Sequence, residues 1–116
     1  MNTAPVLFVS HGSPMLAMDN HWGPKLEAWG RALGKPRAIV IVSAHWLTRA
    51  NAVGAAHIKP LIYDFGGFPE PLYRLQYPAP AATDLAAPVA RDLGAVVDEA
   101  RGWDHGVWVP LMRMYP

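Results

Sequence analysis

The sequence has 116 residues, enough for one compact domain, and 52% of them are hydrophobic, which excludes an intrinsically disordered chain. Its formal net charge of +1 comes without a basic cluster, so we expect no nucleic-acid partner. No apolar run approaches the ~20 residues of a membrane span and no signal peptide is visible, so we expect a cytoplasmic protein without a membrane partner. The lack of cysteine excludes disulfides, zinc–thiolate sites and cysteine nucleophiles.

The first part of the chain predicts a strand, a helix and a second strand. Residues 6–9 and 38–42 are short apolar runs rich in β-branched side chains, and each is followed closely by a serine and a histidine. Between them, residues 19–33 place large apolar side chains on one helical face, namely Trp22, Leu26, Trp29 and Leu33, and Gly34 is a suitable stop. Two apolar strands joined by a helix are typical of a right-handed βαβ unit in a parallel sheet.

The rest of the chain predicts shorter elements. They are a weaker strand at 51–56, a loop at 60–80, a helix at 83–93 capped by Thr83 or Asp84 and ended by Gly94, a strand at 95–97, a loop at 102–106 and a helix at 107–115, in which Pro110 fits only the first turn. The predicted fold class is α/β, with a parallel or mixed central sheet flanked by helices. Five tryptophans and only 16% charged residues leave more apolar surface than so small a chain covers, so we expect an incomplete domain and a homo-oligomer.

Two histidines occupy matching positions in this pattern. His11 and His45 each follow one of the two predicted apolar strands. The carboxyl ends of parallel strands, about 4.8 Å apart, form the edge where ligands bind. Two imidazoles there could bind one metal ion at about 2.0–2.2 Å each. Because a catalytic metal normally has three protein ligands, ordinary loop histidines remain the alternative interpretation.

The other three histidines carry weaker signals. His105 lies after Asp104, before the last predicted helix, where it could act as a general acid–base with Asp104 fixing its tautomer or capping the helix. The alternative is an exposed histidine at the helix entry. His21 could line the mouth of a cleft, although a half-exposed helix residue is the simpler interpretation. No role is predicted for His57.

Residues 64–69 contain two glycines between two phenylalanines. Such a loop could bring backbone close to a flat ligand and supply aromatic walls, although a surface turn over the core is the simpler interpretation. Trp46 and Trp103 could shield a site from water or belong to the core. The serines beside the strand-end histidines would suit a serine hydrolase, but the sequence has no Gly-x-Ser-x-Gly elbow to support one.

Five short motifs occur in one order along the chain. They are Ser10-His11-Gly12-Ser13-Pro14, Ser43-Ala44-His45-Trp46, Tyr63-Asp64-Phe65-Gly66-Gly67-Phe68-Pro69, Tyr77-Pro78-Ala79-Pro80 and Trp103-Asp104-His105-Gly106. Together they closely resemble the class III extradiol ring-cleaving dioxygenases, and within them the DOPA 4,5-dioxygenase-like branch. The motifs are spread over nearly the whole chain, which makes the resemblance specific.

The resemblance implies an aromatic ring-opening oxidoreductase that cleaves a catechol with O₂ on one Fe(II) or Zn(II) ion per site. In that family the positions of His11 and His45 are metal ligands, and that of His105 is an acid–base or substrate-contacting group. The expected substrate-binding residues are Asp64, Phe65, Gly66, Phe68 and Asp104. Residues 1–116 would be the N-terminal part of a single catalytic domain, and family members supply a further metal-ligand histidine and a further active-site histidine from a later segment.

Two other functions stay open on the same sequence. Zinc is redox-inert, so the same imidazoles could serve a non-redox hydrolase or a binding protein. The chain could also be a non-catalytic remnant whose apolar surfaces serve oligomerisation. Ring cleavage with Fe(II) against Zn(II), together with metal binding by His11→Ala and His45→Ala variants, separates these three hypotheses.

Overall fold

The computed structural model describes residues 3–54 and 60–116. The helices are α1 (Trp22–Leu33), α2 (Thr83–Leu93) and α3 (His105–Met114), with two 3₁₀ helices (Pro14–Met18 and Glu70–Arg74), and the strands are β1 (Ala52–Gly54) and β2 (Val96–Asp98). The fold class is α/β, as predicted. The longest helix in these two ranges has 12 residues, and none of the helices is long and apolar enough to cross a membrane.

The sheet is a parallel pair in which Val53 of β1 lies opposite Val97 of β2. A parallel pair needs a crossover connection, which here contains α2, packed against both strands. These strands confirm the predictions at 95–97 and, within the described residues, at 51–54.

Helix α2 has the predicted bounds but lacks the predicted N-terminal cap. Ala82 precedes it and no side chain of the described residues caps it, so the prediction of a cap by Thr83 or Asp84 is wrong. The helix ends, as predicted, at Gly94, whose φ of 58° lies in the left-handed region that glycine adopts without a steric cost.

The predicted strands at 6–9 and 38–42 are wrong. Both runs lie in the described range, and no backbone hydrogen bond joins either of them to a neighbouring strand. Their outer side chains are almost fully exposed, with Val6 at 98% and Val42 at 94%. A buried parallel strand needs a ladder partner and a covering layer, and without them its backbone groups and apolar side chains gain nothing from strand geometry.

The two runs nevertheless have neighbouring ends. Pro5 and Ala38, at their starts, line one groove with a volume of about 550 Å³. The histidines that follow their other ends are in contact with each other. After α1 the second run therefore returns to the first, as expected, but neither run is a strand.

The apolar core lies where the two 3₁₀ helices meet α3 and the segment after residue 60. Its buried members are Leu16, Ala17, Leu61, Leu72, Trp108 and Val109. Trp108 is fully buried, and its indole Nε1 donates to the carbonyl oxygen of Ile62 at 3.1 Å. Burial of this ring with its polar atom satisfied fixes α3 against the loop that carries the 64–69 motif.

Helix α1 packs on α3 through glycines, and of the predicted apolar face Leu26 packs against the core whereas the two tryptophans do not. Gly23 and Gly30 are buried, and a Cβ on Gly30 would overlap the carbonyl oxygen of Met114. Trp22 and Trp29, expected to face the core, are 57% and 37% exposed. Close approach of the two helix backbones is possible only on the glycine side, which turns the tryptophans outward.

Helix α3 begins at His105, two residues before the predicted start. Asp104 caps it by accepting a hydrogen bond from the backbone N–H of Gly106, so the predicted loop ends at Asp104. Pro110 therefore lies in the second turn, and the expectation that it fits only the first turn is wrong. The bond that its missing N–H would have made to Gly106 is lost.

The molecule is flat, with extents of 39 × 37 × 21 Å. Its accessible surface is 8023 Å², whereas a compact protein of 12.7 kDa exposes about 6,200 Å². The excess of roughly 1,800 Å² agrees with the expectation of an incomplete domain.

Candidate metal centre

Three imidazoles from separate parts of the chain meet at one place. The Nε2 atoms of His11 and His45 are 2.9 Å apart. The ring of His105 lies 4.9 Å from that of His11 and 4.1 Å from that of His45, measured between centroids. One nitrogen of each ring lies within 4.8 Å of the others. The structure thus brings together the two predicted metal ligands and the predicted catalytic histidine.

His11 is placed by the turn that leads into the first 3₁₀ helix. Gly12 follows it with φ of 65°, a conformation that favours glycine. Ser13 then caps the 3₁₀ helix, its Oγ accepting from the backbone N–H of Met15 at 3.1 Å. These local contacts fix the direction in which the chain leaves the site.

His45 is placed by a link to the start of α3. Ser43 Oγ accepts from the backbone N–H of His45 at 3.2 Å and donates to Asp104 Oδ1 at 2.7 Å. Asp104 is 2% exposed, and its other oxygen accepts from Arg101 Nη2 at 3.2 Å. Of the two roles expected of Asp104, it takes helix capping, and it also joins the loop of His45 to α3.

Asp64, not Asp104, contacts the ring of His105. Its Oδ1 is 2.7 Å from Nδ1 of that ring and 3.0 Å from the backbone nitrogen of the same residue. The sequence suggests Asp64 only as a substrate-binding residue, since no local pattern relates residues 41 positions apart.

The charge state of the cluster follows from its burial. Burial lowers the pKa of His11, and the neighbouring imidazoles of His105 and His45 lower it further, while Asp104 and Asp64 act in the opposite direction. The net effect favours a neutral His11 ring at neutral pH, with a lone pair free to bind a ligand. Among the described residues, His11 Nδ1 is buried without a hydrogen-bond partner.

The donor set fits a divalent metal ion. Two nitrogens that each lie about 2.0–2.2 Å from one ion are at most about 4.4 Å apart, and the Nε2 atoms of His11 and His45 satisfy this at 2.9 Å. Neutral imidazoles are ligands that zinc and iron(II) both accept.

The aromatic residues of the 64–69 motif lie on one side of His105. Phe65 packs edge-on against that ring at 5.4 Å, and Phe68 lies behind it, 5.5 Å from Phe65. Both phenylalanines are partly buried against the core. Gly66 faces open space, with no described atom within 4 Å of a Cβ built on it.

The remaining candidates lie outside the cluster. His21 is exposed next to α1 and contacts Lys25. Trp103 packs against the core, and Trp46 lies under the guanidinium of Arg101. His57 is outside the described residues.

Comparison with known proteins gives a consistent result. The family model described as "Catalytic LigB subunit of aromatic ring-opening dioxygenase" matches residues 5–116. The chain is 45% identical to the "4,5-DOPA dioxygenase extradiol" of Escherichia coli strain K12, over 97% of this chain and 43% of that protein. It is 42% identical to the protein of the same name from Beta vulgaris (99% and 47%) and 38% identical to "Dioxygenase tasH" of Hapsidospora irregularis (100% and 41%). The chain thus spans less than half the length of these relatives.

Proposed function

Because the chain belongs to the family of catalytic LigB subunits of aromatic ring-opening dioxygenases, we propose that it serves the extradiol cleavage of a catechol ring by O₂. The observation that carries this proposal is the convergence of three imidazoles from separate segments beside an aromatic wall. Relatives named 4,5-DOPA dioxygenase extradiol support a DOPA-type catechol as the substrate class.

His11 and His45 are proposed to hold the metal ion, through the nitrogens that already face each other. When bound there, Fe(II) would keep coordination positions open for the two catechol oxygens and for O₂. We favour iron over zinc because zinc is redox-inert and the proposed reaction oxidises its substrate. The supporting feature in this chain is that burial and neighbouring rings keep His11 neutral.

His105 is proposed as the acid–base of the reaction. Its Nδ1 is engaged by Asp64, which leaves Nε2 as the atom able to take a proton from a catechol hydroxyl and to return it. Phe65 covers the ring from one side, and the ring is 7% exposed, so water has little access to it.

The predicted substrate contacts remain predictions with unequal support. Phe65 borders the cluster, Phe68 packs behind Phe65, and Gly66 faces open space. Asp104 has both carboxylate oxygens engaged and is 2% exposed, which favours a supporting role over a direct contact. The cytoplasmic location and the assignment of residues 1–116 to the N-terminal part of one catalytic domain also remain predictions.

The proposal is tested by loading the protein anaerobically with Fe(II) or Zn(II) and adding a catechol and O₂. We expect a yellow ring-opened product and consumption of one O₂ per catechol with iron only. His11→Ala and His45→Ala should weaken binding of either metal by more than the roughly 10–100-fold that loss of an outer partner costs. His21→Ala is the matched control, because it removes an exposed histidine outside the cluster.

Each alternative has its own outcome in this assay. Hydrolytic activity with zinc and no ring cleavage with iron would replace the proposal with a non-redox enzyme. Metal binding that is weak, and equal in the wild type, His11→Ala and His45→Ala, would replace it with a non-catalytic protein.

A further inference from the structure

Asp64 contacts His105 at two atoms of that residue through a single carboxylate oxygen. One carboxylate oxygen, Oδ1, faces both the backbone nitrogen and the ring Nδ1 of His105, at 3.0 and 2.7 Å. The two residues lie 41 positions apart, so the contact depends on the packing of the 64–69 loop against the start of α3. The His105 side chain is 7% exposed and the Asp64 side chain 28%, so the bond is shielded from water on its His105 side.

The direction of these bonds follows from the charge of Asp64. Burial on its own raises the pKa of this carboxyl, but the backbone and side-chain hydrogen bonds from His105 outweigh it, and the pKa is lowered. An ionised carboxylate only accepts hydrogen bonds. Nδ1 of His105 must therefore carry the proton that it donates to Asp64.

No other described group competes for Nδ1. Asp104, the adjacent carboxylate in the sequence, is occupied by Ser43, Gly106 and Arg101. The faces and edges of the His105 ring are taken by other rings, with those of His11, His45 and Phe65 all within 5.4 Å between centroids. The neighbouring rings restrict where the His105 ring can lie, and Asp64 is the described group that binds its Nδ1.

We infer that Asp64 is a positioning residue that locks His105 in the Nδ1-protonated tautomer and so presents Nε2 to the centre formed with His11 and His45. This assigns to Asp64 a task different from the substrate contact expected from the sequence. The acid–base role of Nε2 rests on the proposed function, whereas the tautomer of His105 does not depend on it. Carboxylates that hold the second nitrogen of a functional imidazole are a general means of fixing its orientation.

The tautomer is measured directly in the metal-free protein labelled with ¹⁵N-histidine. Long-range ¹H–¹⁵N correlations at neutral pH should show His105 with a protonated Nδ1 and an unprotonated Nε2. Asp64→Ala should convert this ring to the other tautomer or to a mixture. Asp64→Asn, whose amide oxygen can still accept both bonds, should keep the wild-type pattern. Asp92→Ala, which removes an exposed carboxylate from α2, is the matched control.

A second readout separates positioning from substrate binding. In the iron-loaded protein, Asp64→Ala should lower kcat by about 10–100-fold with little change in KM, and Asp64→Asn should recover part of the loss. A raised KM with unchanged kcat would make Asp64 a substrate-binding residue and overturn the inference.

The wild-type spectrum alone can also overturn it. If Nε2 of His105 carries the proton, the inference fails, whether or not Asp64→Ala folds. If the tautomer is as expected but no catechol is cleaved, the positioning role stands and the proposed function fails.

Discussion

Replacing Gly106 by alanine tests how closely the centre is packed. A Cβ built on Gly106 would lie 2.5 Å from Ser43 Oγ, 2.8 Å from Cδ2 of the His45 ring and 3.0 Å from Asp104 Oδ1. Non-bonded heavy atoms normally approach to about 3.5–4.0 Å, so the serine and the histidine would have to retreat by about 0.7–1 Å. The added methyl group therefore acts on a proposed metal ligand without removing any functional group.

The change has two opposing effects on stability. Alanine is a better helix former than glycine by about 1 kcal/mol, whereas overpacking a filled site costs about 1–3 kcal/mol. We expect the free energy of unfolding to fall by about 0–2 kcal/mol, so the variant stays folded. Metal binding is more sensitive, since a functional geometry tolerates about 0.5 Å, and we expect zinc affinity to fall by about 10–100-fold.

The assay is calorimetric titration of the metal-free protein with Zn(II), accompanied by denaturant unfolding. Gly54→Ala is the matched control, because among the described atoms its Cβ would meet only the Trp46 ring, at an ordinary 3.8 Å. Gly54→Ala should bind zinc like the wild type. Wild-type zinc affinity in Gly106→Ala would refute the packing argument and the placement of His45 in the metal site.

Three further outcomes are expected. In an NMR titration of the metal-free protein, the pKa of His11 should lie below its ordinary 6.5. The unfolded chain then takes up the proton at a higher pH than the folded chain, so the free energy of unfolding should fall as the pH drops below 6.5. A His11 pKa above 6.5 would contradict the burial argument. Ser43→Ala removes a hydrogen bond to the buried Asp104 carboxylate, so it should weaken zinc binding and lower the free energy of unfolding by about 1.5–3 kcal/mol. Denaturant unfolding measures the loss of stability, and wild-type stability and zinc affinity would contradict this prediction. The chain should self-associate in sedimentation experiments, because large apolar side chains such as Phe8 and Val42 are exposed. The double variant Phe8→Lys, Val42→Lys should shift it toward the monomer. A monomeric wild type would contradict the inference that this apolar surface drives association.

Local signals in the sequence located the three helices and gave the bounds of α2. The bounds of α2 at Thr83–Leu93 follow from an apolar helical face and a terminal glycine, both of which lie within the segment itself. The strand predictions at 6–9 and 38–42 fail because a strand is made by its neighbours, and the described chain supplies no ladder for these runs. Propensity identifies such a segment but does not create its partner.

The convergence of His11 and His45 could be predicted because it depends on chain path more than on hydrogen bonding. Two runs joined by a helix can bring their ends together, and the histidines meet although these two runs are not strands of a sheet. The grip of Asp64 on His105 could not be predicted in this way. It results from the docking of a loop on α3 around Trp108, which sequence spacing does not encode.

The two carboxylates of the site, Asp104 and Asp64, therefore position different histidines. Asp104 binds backbone and hydroxyl groups and fixes where the loop of His45 meets α3. Asp64 binds a ring nitrogen and fixes which atom of His105 faces the centre. Neither carboxylate is hydrogen-bonded to His11, which is held by its own turn and by its contacts with the rings of His45 and His105. Of the three imidazoles, His11 is thus the one without a hydrogen-bonded link to either carboxylate.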